Sequence, residues 1–225
     1  MKANLPQELN ISNYFNSPVW HTTDTSMVKY LNKKTDSYIK KAYSIKKKEI
    51  AERKKLCKSD MGMVYHSSSM INDPDFIELQ NYIIATSHNL LEEMGYDLKD
   101  YQVFITEMWV QEFSKKGGGH HNIHTHWNGH MSGFYFLKAS DKTSRPVFHD
   151  PRPGKVMKEL PLKDINNLSY ATDQISYKTQ PGTMIFFPSY LPHEYLVDLG
   201  VEPFRFIHWN CEAFPKAAVG FNEKI

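Results

Sequence analysis

Cysteine is almost missing from this chain: Cys57 and Cys211 are the only two in 225 residues. They stand far apart and in no metal-ligand spacing, which argues against a disulfide-stapled fold and a thiolate metal site and points to a reducing compartment. Long hydrophobic runs are missing too. No apolar stretch approaches the ~18–20 residues that a membrane helix needs. The opening MKANLPQELN lacks the apolar segment of a secretory signal, so a cytoplasmic protein is expected. Neither sign of charge dominates, the formal net charge being +2, so no global basic excess calls for nucleic acid. One local run is basic, Lys46, Lys47, Lys48, Arg53, Lys54 and Lys55, but Glu49 and Glu52 interrupt it. Mixed signs of that kind read as a solvated helix end. What the chain does have is apolar and aromatic content, 40% and 13%, enough for a sizeable core without staples.

The first third carries a helical period. Val28, Leu31, Tyr38, Ile39, Ala42 and Ile45 put one stripe on a helix from Met27 to about Ala51. A second helix is expected from Asp73-Pro74, where Asp can cap and Pro suits the first helical position, to a stop at Gly95. The polar, turn-rich segment between them, 59–75, reads as an exposed loop. Beyond Gly95 the period becomes extended. Short aromatic and β-branched runs at 103–113, 132–139, 145–150, 183–188, 193–199 and 204–211 are separated by Gly and Pro turns. Helices followed by many short strands predict an α+β chain whose second half is a sandwich or barrel. With no repeat or linker to divide it, one domain spanning 1–225 is expected: a mainly helical part over about 1–98 and a β core over about 99–215.

Five of the eleven histidines fall between positions 120 and 130. His124 and His126 are two apart, and on a strand such residues share a face and can reach one ion. His193 follows PGTMIFFPSYLP, a turn, a buried strand and a corner that could bring it beside that pair. His-x-His with a distant His is a pattern many metal sites share. Arg205 lies twelve residues further on, flanked by Phe204 and Phe206. A guanidinium in so aromatic a strand is costly to bury without an anion, and a dicarboxylate would serve through two parallel hydrogen bonds.

These residues resemble a family of 2-oxoglutarate/Fe(II) oxygenases with many bacterial and phage members. Its pattern, approximately His-x-His-Pro-Asn and then Ser-Gly-x-Tyr, is matched by His124, His126, Ser132, Gly133 and Tyr135. Asp150-Pro151-Arg152 and PGTMIFFPSYLPH follow in the family's order, YFNSPVW looks like its opening strand, and the likeness covers most of 100–212. The resemblance implies a double-stranded β-helix, a cupin-like jelly-roll with helices packed against it. It also implies a dioxygenase, a hydroxylase by reaction, that takes Fe(II), 2-oxoglutarate and O₂. Its substrate class includes protein side chains such as proline. On that reading His124 and His193 hold iron, Arg205 anchors the far carboxylate of 2-oxoglutarate, and Tyr135 is a second contact.

Two departures stand out. The superfamily's carboxylate position holds His126, so either three histidines form the shell or a carboxylate such as Asp150 completes it. The last strand reads RFIHWN where many relatives have Arg-x-Ser-x-Ser-Phe-Asn, one residue longer from Arg to Asn. Trp109, Gln111 and Trp127 are candidates to line the pocket. Two rival readings keep the metal but change its use. A cupin-type protein without 2-oxoglutarate would leave Arg205 idle. A non-catalytic β-sandwich with structural zinc would need a fourth ligand such as His121 or His208.

Overall fold

The computed structural model describes residues 12–157 and 160–219. The first apolar stripe forms α1 (Val28–Ile45), which buries Leu31, Thr35, Ile39 and Ala42. The helix ends at Lys46 rather than running to 51, and the basic run becomes a separate helix, α2 (Lys47–Cys57), with no buried residue. Asp73 caps as expected, its Oδ1 accepting from the Asp75 N–H at 2.9 Å, but it caps a 3-10 turn over Pro74–Phe76. The turn leads directly into α3 (Ile77–Glu93).

The strands are β1 (Trp20–Thr23), β2 (Val64–His66), β3 (Tyr101–Phe113), β4 (His121–His124) and β5 (Met131–Lys138), followed by β6 (Pro146–His149). After the short α4 (Pro153–Val156) come β7 (Gln174–Ser176), β8 (Thr183–Pro188), β9 (His193–Tyr195) and β10 (Arg205–Pro215), and α5 (Lys216–Val219) closes the described chain. Six strands form one sheet in the order β1-β8-β5-β10-β3-β2, and four form a second, β4-β9-β6-β7. Every pairing is antiparallel. The architecture is the expected jelly-roll of two antiparallel sheets.

Alternation along the strands gives the large sheet two different faces. Ile207, Trp209 and Cys211 of β10 and Met131, Tyr135 and Leu137 of β5 pack with Leu31, Ile39, Leu79, Ile83 and Leu91 of the helices. Phe206 of β10 and Phe134 and Phe136 of β5 point the other way, onto Phe148 and Tyr195 of the small sheet. The interior between the sheets is therefore largely aromatic.

The segment expected as an exposed loop is a correction. It contains β2, paired with β3, and buries Met63, Tyr65, Ser67 and Met70. Its polar residues misled the sequence reading because they satisfy backbone: the Ser67 N–H donates to Val110 O, and Val110 N–H donates to Ser67 Oγ, both at 3.0 Å. The turn from β3 into β4 uses Gly117 and Gly118 at φ +76° and +81°, which side-chain-bearing residues rarely adopt. There the Gly118 N–H donates to Asp198 O and Asp198 N–H donates to Gly119 O, fixing where β4 begins.

Candidate metal centre

β4 and β9 lie side by side with His124 opposite His193. His124 is the last residue of β4, and His126 stands beyond the strand, so a turn rather than the pleat brings the pair together. The His126 N–H donates to Ser189 O at 2.9 Å, which holds that turn against the end of β8. One ring nitrogen from each of His124, His126 and His193 lies within 4.8 Å of the other two. The Nε2 atoms of His126 and His193 are 3.3 Å apart.

Carbonyl groups orient two of the rings. His124 Nδ1 lies 2.7 Å from Asn122 O and His193 Nδ1 3.0 Å from Leu191 O. A carbonyl can only accept, so both Nδ1 atoms carry the proton and both Nε2 atoms present a lone pair, that of His193 lying 3.3 Å from His126 Nε2. His126 is placed by Asn210, whose Nδ2 lies 3.2 Å from its Nδ1 and donates to Glu107 at 2.7 Å. Ser132 Oγ donates to Asn210 Oδ1 at 2.6 Å, completing a buried relay behind the centre. Burial is the largest cause that lowers the ring pKa values, to about 3 at His193 and about 4 at His126 and His121. Neutral imidazoles are the form that binds a cation.

Deeper between the sheets is a cavity of about 40 Å³ lined by the three imidazoles with Trp109, His121, Phe134, Tyr195, Phe206 and His208. Trp109 was expected there and Gln111 stands close by, its Nε2 2.6 Å from His121 Nε2. Trp127 does not line it and is 93% exposed. Tyr195 went unnoticed in the sequence, although it lies two residues from His193 on the same face of β9. His208 does not complete a four-ligand shell with the trio; it groups instead with Glu107 and His126. Asp150 joins neither group and is held by Arg152 and Lys155. Asp150 and Arg152 line a separate groove of about 440 Å³ with Tyr14 and Phe15 of the YFNSPVW segment.

Arg205 and Tyr135 are not brought to this centre. Both side chains point to the opposite face of the large sheet, toward α1. Arg205 donates to Glu112 Oε2 and to Asp36 Oδ1, each at 2.7 Å, and to Thr35 Oγ1 at 3.2 Å. The anion that the aromatic strand called for is thus supplied by the protein itself. Tyr135 OH donates to Asp24 O at 2.7 Å, and burial pushes its pKa up to about 12. The reason is parity: moving one residue along a strand exchanges its faces. The Arg-to-Asn spacing, one residue shorter here than in many relatives, puts Asn210 inside and Arg205 outside.

Residues 107–202 match the model of a family described as "Putative 2OG-Fe(II) oxygenase". That segment, less than half of the chain, is similar to the 2OG-Fe(II) oxygenases. The family so described is one of enzymes that use Fe(II) and 2-oxoglutarate. Solved structures of similar fold include a prolyl-4-hydroxylase from Pseudomonas putida, with TM-score 0.51 and 10% identity over 86% of this chain and 92% of that one. The non-haem alpha-ketoglutarate-dependent epimerase SnoN from nogalamycin biosynthesis gives TM-score 0.52 and 10% identity over 89% and 79%. The non-haem monooxygenase ThoJ, as its nickel complex, gives 0.52 and 7% over 86% and 73%. At such identities the likeness speaks for the fold. No curated protein matches the chain. No helix among the described residues is long and apolar enough to cross a membrane.

The residues present fit iron, because three imidazoles converge and burial holds His126 and His193 neutral. They do not offer 2-oxoglutarate a guanidinium, since no lysine or arginine lines the cavity.

Proposed function

We propose that His124, His126 and His193 hold the iron of a hydroxylase that oxidises a side chain of a protein substrate, proline being the first candidate. The observation that carries this reading is the trio itself: three convergent imidazoles, two of them (His126 and His193) kept neutral by burial, at the mouth of an otherwise aromatic cavity. Bound iron supplies the redox chemistry that couples decarboxylation of 2-oxoglutarate to oxidation of the substrate. The chain's own residues orient and exclude. The carbonyls of Asn122 and Leu191 fix two ligand rings, and Asn210 with Ser132 and Glu107 fixes the third. Phe134, Phe206 and Tyr195 keep bulk water from the interior. A substrate side chain is offered a groove of about 280 Å³ whose wall includes His126, Trp127, Tyr96, Met94 and Tyr190. Exposed aromatic surface beside a metal centre suits an apolar or cyclic side chain on a larger molecule.

The test is an anaerobic titration of metal-free protein with Fe(II) and then 2-oxoglutarate, following the visible charge-transfer band of a chelated 2-oxo acid. The band is expected in the native protein and lost in His193→Ala and His124→Ala, with far-ultraviolet circular dichroism unchanged. Iron binding without a band would end the 2-oxoglutarate coupling, and unfolding of both variants would mark the ion as structural. Succinate release that proline-containing peptides do not raise would remove proline as the target.

A further inference from the structure

The inner wall of the cavity contains polar atoms that nothing in the protein satisfies. His208 is 1% exposed, and neither Nδ1 nor Nε2 has a hydrogen-bond partner. The Tyr195 hydroxyl is equally buried and unpartnered, and so is Gln111 Oε1. Each such atom is costly while it stays unpaired. Others, at Asn32, Thr179 and Trp209, lie away from the cavity, but these are grouped. Tyr195 and His208 both line the cavity behind the three imidazoles, and Gln111 reaches it through its bond to His121. Phe134 packs between them, with ring centroids 5.2 Å from Tyr195 and 5.4 Å from His208. Two unsatisfied donors in an aromatic pocket mark the place of an acceptor-rich group.

We infer that Tyr195 and His208 form the subsite for the distal carboxylate of the 2-oxo acid, in place of Arg205. This rests on the iron and 2-oxoglutarate reading given above. The oxo acid's head faces the imidazole trio, and its far carboxylate runs inward, accepting the Tyr195 O–H and a His208 N–H. In so dry a surrounding, hydrogen bonds from neutral donors to a carboxylate are strong. Arg205 cannot compete, because Glu112, Asp36 and Thr35 occupy its donors on the other face of the sheet. At about 40 Å³ the cavity has room for little more than one water, so the wall must give when the ligand enters. Trp109, packed at a tilt against His66 and His208 with centroid distances of 3.9 and 4.5 Å, is the side chain whose movement would enlarge it on that side.

The experiment is calorimetry on protein loaded with Mn(II), a redox-inert stand-in for iron, titrated with 2-oxoglutarate and with pyruvate, which lacks the distal carboxylate. Tyr195→Phe removes one hydroxyl and His208→Phe removes both ring nitrogens; each is expected to weaken 2-oxoglutarate at least tenfold. Mn(II) affinity and pyruvate affinity should hold, a pattern that general loss of packing would not give. The paired change Arg205→Met with Glu112→Gln should leave 2-oxoglutarate affinity as it was. Equal affinities in Tyr195→Phe and native protein, or a loss confined to the Arg205 pair, would overturn the subsite while leaving the oxygenase reading intact. Native protein that binds Mn(II) but neither oxo acid would overturn both.

Discussion

Arg205 shows how a correct physical demand can be met by an unforeseen partner. The sequence makes plain that a guanidinium between Phe204 and Phe206 requires an anion. It does not reveal which face of β10 the side chain takes, because a register shift between Arg205 and Phe206 against β5 intervenes. Arg205→Ala strands Glu112, whose side chain is only 5% exposed, as an uncompensated buried charge. The expected loss is about 3–5 kcal/mol, toward the lower end because Lys138 stays 3.3 Å from Glu112. Urea denaturation measures it, and adding Glu112→Gln should restore most of it. The histidines make a second prediction. Burial lowers His193 to about pKa 3 and His121 and His126 to about 4, below the 6.5 of an unfolded chain. Below pH 6.5 the unfolded state therefore takes up protons that the native state refuses. Stability of the metal-free protein should fall steadily from pH 6.5 toward pH 3, whereas between pH 7 and 8 these groups contribute no slope. Thermal melts across that range test the sign.

At the scale of elements, sequence patterning served best where one face is wet. The α1 stripe was legible because Leu31, Ile39 and Ala42 recur at helical spacing, although buried Thr35 was missed and Ile45, counted in the stripe, is exposed. β5 gave less, since all but the last of its eight residues are buried and no alternation survives to separate its two faces. Strands of three and four residues such as β2 and β4 are too short to carry a period. The trio was readable from His124, His126 and His193, but the turn that brings His126 in was not. Gly133 of β5 tests how closely these layers fit. A Cβ there would overlap the Trp209 indole and lie 2.5 Å from Ile185 O. Gly133→Ala should cost roughly 1–3 kcal/mol or more by overpacking, seen as a lower melting temperature with unchanged secondary structure.

Over the whole molecule, one apolar cluster includes Leu31 and Ile39 of α1, Leu79 and Ile83 of α3, and Val110, Tyr135 and Ile207 of the large sheet. Helices joined to the jelly-roll through a shared core have no reason to melt apart. We read the chain as one cooperative unit and expect helical ellipticity and near-ultraviolet aromatic signals to be lost in a single coincident transition. Two separated transitions would divide it near residue 98.

β4 lies at the edge of the four-stranded sheet, bonded to β9 alone, and its register with that neighbour shifts between His121 and His124. An edge strand so lightly tethered opens easily, and its amides should exchange with solvent deuterium far sooner than those of β5 or β10. A metal ion held by His124, His126 and His193 would rivet β4, the turn after it and β9 to a single point. Deuterium uptake across 121–126 should then slow on adding metal while uptake in α1 stays the same. The ion would act as a clasp for the sheet as well as a reagent.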